Sequence, residues 1–168
     1  MDIVQKKFER AIGDRFIEWL NYETGSEHRF AGRPDRAPDL LYSSKGVELL
    51  IEVTAGYYDT KHAAFIWKGM RGAKDAPDRW TGVNPNRSLA AAISNRVAEK
   101  SKKRYGDNTV LLIEVVPGVT SAEDLTELLR EQKIQGETPF AGIYVVGRFP
   151  ITKHSSGGYR VISLKKFQ

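Results

Sequence analysis

The chain contains no cysteine among its 168 residues, and it has only three histidines and two methionines. The absence of cysteine excludes disulfide bonds, thiolate metal centres and cysteine nucleophiles. The histidines, at positions 28, 62 and 154, are spread along the chain and do not suggest a histidine-based zinc site. A metal ion in this protein would therefore be a hard cation held by carboxylate oxygens.

Long hydrophobic runs are also missing, because no segment approaches the roughly 20 apolar residues that a membrane span requires. The N-terminal segment MDIVQKKFER is charged and has no signal-peptide core, so we expect a cytoplasmic protein with no membrane partner. With 40% hydrophobic and 28% charged residues, the composition is typical of a soluble protein, and the length suits one domain spanning residues 1–168. The formal net charge of +5 favours a polyanionic partner, although many other soluble proteins share such a charge.

Hydrophobic periodicity and turn residues predict an ordered series of helices and strands. Helices are predicted over residues 3–21, 87–105 and 121 to about 132, the last opening with a capping-box pattern at Ser121 and Asp124. Strands are predicted over residues 39–43, 47–55, 109–116, 140–147 and 159–164. Residues 23–38 are predicted to be loop. A hairpin followed by a helical crossover to a further strand indicates an α/β fold with a central mixed sheet.

Residues 56–87 form an unusual basic and aromatic excursion, broken repeatedly by glycine and proline, with a short helix predicted near 61–69. It carries six Lys or Arg residues against three Asp, interleaved with tyrosine, phenylalanine and tryptophan. Such a segment could track phosphates and stack on bases, or its aromatic residues could instead cover the sheet or form a dimer contact. The candidate nucleic-acid-binding residues are Lys61, Trp67, Lys68, Arg71 and, on the following helix, Arg96.

Two carboxylates interrupt the apolar hairpin PDLLYSSKGVELLIEVTAGYYD. Asp39 begins the first predicted strand, and Glu52 lies in the second, on the same face as Thr54 because side chains alternate along a strand. A carboxylate in an apolar run is costly unless water, a basic group or a metal pairs with it. Asp39 could be a turn residue and Glu52 a solvent-facing one. Converging from adjacent strands, the two could instead bind Mg²⁺ or Mn²⁺.

This arrangement resembles the PD-(D/E)XK nuclease superfamily, on the strength of Pro38-Asp39 and then Glu52-Val53-Thr54 after a short hairpin. The resemblance extends over roughly residues 3–116 and includes the helices on either side of the hairpin. It implies a restriction-endonuclease-like, three-layer α/β/α core in which the carboxylates hold one or two Mg²⁺ or Mn²⁺ ions. The chain departs from the family pattern at Thr54, where the family has a lysine that orients water and offsets charge in the transition state.

A lysine on the next helix could replace the missing strand lysine. Leu89, Ile93 and Val97 define the apolar stripe of that helix, and Lys100 falls within the stripe. Lys100 could carry its ammonium group past the core to water, or it could reach toward Asp39 and Glu52. The run from Glu99 to Tyr105, ahead of a strand, also resembles uncharacterised bacterial members of the superfamily.

The first helix offers one further acidic candidate. Glu9 lies at the edge of the stripe formed by Phe8, Ile12 and Phe16, where it could join the site or remain a surface residue. Glu48 shares the face of Glu52 but lies near the hairpin turn, so we expect it to be exposed.

The resemblance implies a metal-dependent phosphodiesterase acting on DNA, although the sequence does not separate DNA from RNA, with Asp39 and Glu52 as metal ligands and Lys100 and Glu9 completing the catalytic set. A homodimer would suit cleavage of both strands of a duplex. The alternative is a catalytically inactive nuclease-like fold that serves as a nucleic-acid-binding or protein-interaction module. A small-molecule enzyme with the same acidic pocket is a third interpretation, which a narrow apolar cavity would favour.

Overall fold

Six strands form one mixed sheet in which spatial order follows chain order, as seen in a computed structural model that describes residues 2–56, 85–115, 118, 120–132 and 138–168. The strands are β1 (Arg29–Gly32), β2 (Leu40–Ser44), β3 (Val47–Gly56), β4 (Thr109–Val115), β5 (Gly142–Phe149) and β6 (Gly158–Lys165). Three helices are described: α1 (Ile3–Thr24), α2 (Pro85–Ser101) and α3 (Ala122–Gln132). The predicted excursion falls largely outside the described residues, together with its short helix.

The sheet contains three antiparallel and two parallel pairs of neighbouring strands. β1, β2 and β3 are successively antiparallel, β3, β4 and β5 are parallel, and β6 returns antiparallel to β5. Parallel neighbours require a crossover, and α2 and α3 lie in the connections between the three parallel strands. The prediction of an α/β fold with a mixed central sheet is therefore confirmed.

Helices cover both faces of the sheet, which makes three layers. On one face, Ile12 and Phe16 of α1 pack into a cluster that includes Ile51 and Leu112 of the sheet. On the other face, α2 and α3 pack against the alternate strand residues, which point away from α1. Leu89, Ile93 and Val97 of α2 are all buried there. The apolar stripe that the sequence indicated for this helix is confirmed.

The ends of the elements follow local chemistry. Ser121 caps α3, because its hydroxyl accepts a hydrogen bond from the backbone N–H of Asp124 at 3.1 Å, as the capping pattern predicted. Gly25 ends α1 in the left-handed conformation with φ of 68°. Lys45 and Gly46, both with positive φ, form the two-residue turn of the β2–β3 hairpin.

One strand and several boundaries differ from the sequence prediction. Helix α1 ends at Thr24 rather than at residue 21, and β5 spans Gly142–Phe149 rather than residues 140–147. Residues 29–32, predicted to be loop, form the short edge strand β1, whose irregular register with β2 includes a shift between Phe30 and Gly32. Its four residues are too few to show a clear alternation, so pairing with β2 decides its conformation. Helix α2 ends at Ser101 rather than at residue 105, after which the N–H groups of Lys102 and Lys103 bond to carbonyls three residues back. Among the described residues, no helix combines the length and the apolar character needed to cross a membrane.

Candidate functional site

The β2–β3 register brings Asp39 and Glu52 to the same face of the sheet. Leu40 pairs with Ile51, so continuing the antiparallel register by one residue sets Asp39, immediately before β2, opposite Glu52. Residues directly opposite each other on antiparallel strands point to the same side. Asp39 is half-buried and Glu52 is only 4% exposed.

Asp39 is bound to the backbone of β3. Its Oδ2 accepts a hydrogen bond from the N–H of Val53 at 2.8 Å. The pKa of the Asp39 carboxyl is raised from 3.8 to about 6. Burial is the largest cause and the negative charges of Glu52 and Glu9 add to it, while the Val53 bond and the positive charge of Lys100 oppose the rise. Asp39 therefore lies within electrostatic reach of both acidic residues and of the lysine that the sequence analysis singled out.

Lys100 forms a buried ion pair with Glu52. Its Nζ lies 2.6 Å from Glu52 Oε1, and the side chains are 19% and 5% exposed. The position of Lys100 inside the apolar stripe of α2 explains this contact, because that stripe faces the sheet where Glu52 points. Thr54, two residues beyond Glu52, is half-buried.

Tyr105 makes a second contact with Glu52 that the sequence analysis did not assign. The Tyr105 hydroxyl donates to Glu52 Oε1 at 3.3 Å, and the ring stacks against Phe140 with centroids 4.7 Å apart. Burial and the neighbouring charge of Glu52 raise the pKa of the Tyr105 hydroxyl, so it remains a neutral donor. Both partners of Glu52 thus bind one oxygen, and Oε2 is buried without a hydrogen-bond partner among the described residues.

Glu9 reaches the same neighbourhood from α1, but its carboxylate is already occupied. Oε1 accepts from Gln5 at 3.0 Å, and Oε2 pairs with Arg33 at 3.0 Å. The Arg33 guanidinium also donates to the backbone carbonyl of Asp39 at 3.4 Å and to that of Lys6. Arg33 therefore joins Glu9 to the Asp39 segment. Arg33 was not predicted as a site residue, because it lies in the predicted loop, where no periodicity marks it.

We call Asp39, Glu52, Lys100 and Tyr105 the acidic site. Its two carboxylates are hard oxygen donors that suit Mg²⁺ or Mn²⁺. The unpartnered Glu52 Oε2 is the atom that fits such an ion best, because an orphaned buried oxygen needs a positive partner. Within the described ranges, no group of three or more acidic or histidine side chains is arranged to hold a metal ion. Two protein carboxylates, completed by water and substrate phosphate, remain a common Mg²⁺ arrangement.

The remaining candidates lie elsewhere. Glu48 is exposed, as expected, and Arg96 forms an ion pair with Glu99 at 3.1 Å on the surface of α2. The other proposed nucleic-acid contacts lie outside the described residues: Lys61, Trp67, Lys68 and Arg71.

Comparison with known proteins identifies no family. No family model matches the sequence, and no curated protein matches it. Among solved structures, the chain is similar to SfsA from Pyrococcus furiosus in complex with Ca²⁺, with 15% sequence identity and a TM-score of 0.33. The match covers 97% of this chain but 62% of SfsA, so this chain spans less than two thirds of that protein. A TM-score this low establishes neither a shared family nor a shared activity.

Proposed function

We propose that the chain is a metal-dependent phosphodiesterase of the PD-(D/E)XK type that acts on DNA, with the acidic site as its centre. The observation that supports this most strongly is the 2.6 Å contact between Lys100 and Glu52, on the face that Asp39 shares. The resemblance requires a cation at this point, and the strand position that normally supplies it holds Thr54. A lysine from the core-facing stripe of α2 provides that cation from another element.

Each residue of the acidic site then has a distinct role. Asp39 and Glu52 would hold Mg²⁺ or Mn²⁺, which polarises the phosphate and lowers the pKa of water. Lys100 would offset the negative charge that develops on the phosphate oxygens. Tyr105 would act as a positioning residue, because its hydrogen bond and its contact with Phe140 restrict the orientation of Glu52.

Arg33 and Glu9 would support the site from the edge of the sheet. With both carboxylate oxygens bonded within the protein, Glu9 is better suited to fixing Arg33 and the Asp39 backbone than to holding a metal directly. We therefore assign Glu9 a positioning role in the proposed enzyme. Its negative charge nevertheless adds to the field at Asp39.

The test combines metal binding with DNA cleavage. Mn²⁺ and Mg²⁺ are titrated by calorimetry into the wild type, Asp39→Asn and Glu52→Gln, with Glu48→Gln as the matched control from the exposed end of the same strand. Supercoiled plasmid, linear duplex and single-stranded oligonucleotides are then incubated with each protein and either metal. We expect cleavage by the wild type and by Glu48→Gln, and loss of at least about a hundredfold in the two site variants, the range typical of a lost electrostatic contribution.

Two outcomes would count against the proposal. Cleavage that persists unchanged in Asp39→Asn and Glu52→Gln would remove the acidic site from the chemistry. Binding of DNA without metal binding or cleavage would favour the inactive nucleic-acid-binding module instead.

Replacing Lys100 with Met should reduce cleavage while leaving Mn²⁺ binding measurable, since the lysine offsets charge rather than holding the metal.

A further inference from the structure

A second group of polar residues lies on the opposite face of the sheet from the acidic site, around Glu114 and the buried hydroxyl of Tyr159. Alternation along β4 turns Glu114 toward α1, whereas Leu111 and Ile113 face α2 and α3. Glu114 opens into a cavity of about 230 Å³. One wall of this cavity is apolar and comes from α1, through Phe8, Ala11 and Ile12.

The other wall carries polar groups that the described protein leaves without partners. The Tyr159 hydroxyl of β6 is buried and has no hydrogen-bond partner among the described residues. Glu114 is half-buried, and within the same residues it forms no ion pair and no hydrogen bond. Polar groups that are removed from water without a partner destabilise the fold, so this pair points to a ligand that completes its hydrogen bonds.

The charge state of Glu114 defines which ligand groups it can accept. Burial raises the pKa of the Glu114 carboxyl to about 8, although the positive charge of Arg15 opposes that rise. A carboxyl with this pKa is mainly protonated at neutral pH, so it offers one O–H donor and one carbonyl acceptor. With the Tyr159 hydroxyl beside it, the cavity presents a short row of neutral donors and acceptors.

Two arginines give the same cavity a positive side. The Arg15 guanidinium stacks on the ring of Tyr159, with Cζ 4.6 Å from the ring centroid. Arg148 of β5 also lines the cavity and is exposed. Guanidinium groups in this position suit a phosphate, since their planar donors match its oxygens. The cavity thus combines an apolar wall, a neutral hydrogen-bonding edge and a cationic side.

We propose that this cavity binds a nucleoside monophosphate, with the base between α1 and Tyr159, its polar edge on Glu114 and the Tyr159 hydroxyl, and the phosphate on Arg15 and Arg148. A planar base satisfies the apolar wall and the hydrogen-bonding edge together. The volume lies below the roughly 300–1,000 Å³ of sites that enclose a drug-sized ligand, so the cavity would enclose the base alone, with the ribose and phosphate lying toward the exposed Arg148. This binding site is independent of the proposed nuclease activity.

The test is calorimetric titration of the full chain with each of the four nucleoside 5′-monophosphates, with the matching nucleosides and with inorganic phosphate. We expect saturable binding of at least one monophosphate, and weakening of at least about tenfold in Tyr159→Phe and Glu114→Leu, because each loses a hydrogen bond to the base. Arg148→Ala should weaken the monophosphate but leave the nucleoside unchanged. Glu48→Gln, at the exposed end of β3, serves as the control and should bind like the wild type.

Three results would overturn the proposal that this cavity binds a nucleoside monophosphate. Failure of all four monophosphates to bind at millimolar concentration would overturn the proposal. So would equal affinity for inorganic phosphate, which would reduce the site to two surface arginines. Undiminished binding in both Tyr159→Phe and Glu114→Leu would also overturn it. Glu114→Leu removes a half-buried carboxyl, and Tyr159→Phe removes only a hydroxyl. Circular dichroism and urea unfolding of each variant show whether weaker binding reflects a lost contact or an unfolded protein.

Discussion

Replacing Asp39 with Asn should stabilise the protein at neutral pH. The Asp39 carboxyl has a pKa of about 6 in the fold against 3.8 for an ordinary aspartate, so the native state holds its proton more tightly than the unfolded chain does. Native stability is therefore lost as the pH rises from about 4 to about 6 and the carboxyl ionises against Glu52 and Glu9. An amide cannot ionise, and its carbonyl oxygen can still accept the hydrogen bond from Val53.

The size of the effect follows from the pKa difference. A pKa about two units higher corresponds to about 3 kcal/mol of differential interaction in a fully desolvated site. Because Asp39 is only half-buried, solvent screening reduces this, and we expect a gain of about 1–2 kcal/mol at pH 7.5. At pH 4 the native carboxyl is largely protonated, and the gain should fall to a few tenths of a kcal/mol.

Urea unfolding of wild type and Asp39→Asn at pH 4 and pH 7.5 measures the difference directly. Comparing the two proteins at each pH cancels the contribution of other titrating groups, including Glu114. The exposed Asp35→Asn is the matched control, and it should shift stability little at either pH. The same gain at both pH values, or a loss at pH 7.5, would refute the electrostatic account of Asp39. The expected combination of higher stability and lost cleavage is the usual trade-off at a functional site.

Two further predictions concern packing and pairing. Lys100→Met should lower the free energy of unfolding by about 2 kcal/mol, because Glu52 is left buried with only its 3.3 Å hydrogen bond to Tyr105. The control is Lys102→Met on the exposed surface, which should change the free energy of unfolding little. Equal unfolding midpoints in urea for the two lysine variants would contradict the buried pair. Gly13→Ala should destabilise by about 1–3 kcal/mol despite the better helix propensity of alanine, since its Cβ would meet buried side chains of β2, among them the Tyr42 hydroxyl at 2.6 Å. Thermal unfolding measures this change, and a raised midpoint would show that the side chains of β2 can move to accommodate the added Cβ.

Much of the acidic site could be anticipated because its residues violate local patterns. Asp39 and Glu52 are charged positions in an apolar hairpin, and Lys100 is a charged position in an apolar helical stripe. Such exceptions are costly unless they meet one another, which made their convergence a reasonable prediction. The contact of Lys100 with Glu52 is an example, because the charged position in the stripe of α2 predicted a partner on a strand 48 residues earlier in the chain.

Glu114 carries the same signal. It lies in the run TVLLIEVV, where its carboxylate interrupts an apolar strand as Glu52 interrupts the hairpin. Tyr105 and Arg33 interrupt no apolar pattern, and Tyr105 is marked only as the end of the run from Glu99 that carries part of the resemblance. A tyrosine after a helix and an arginine in a loop are ordinary residues until the chain path brings them to Glu52 and Glu9.

Periodicity and turn residues act over a few neighbouring positions, so the sequence predicts the three described helices, five of the six strands, the mixed sheet and the buried faces. The pairing of the charges depends on the tertiary fold. Only the fold could show that Lys100 and Tyr105 share one oxygen of Glu52, that Arg33 occupies Glu9, and that a cavity lies beneath α1 beside Glu114. These contacts join residues 24 to 53 positions apart, and no local pattern encodes distances of that kind.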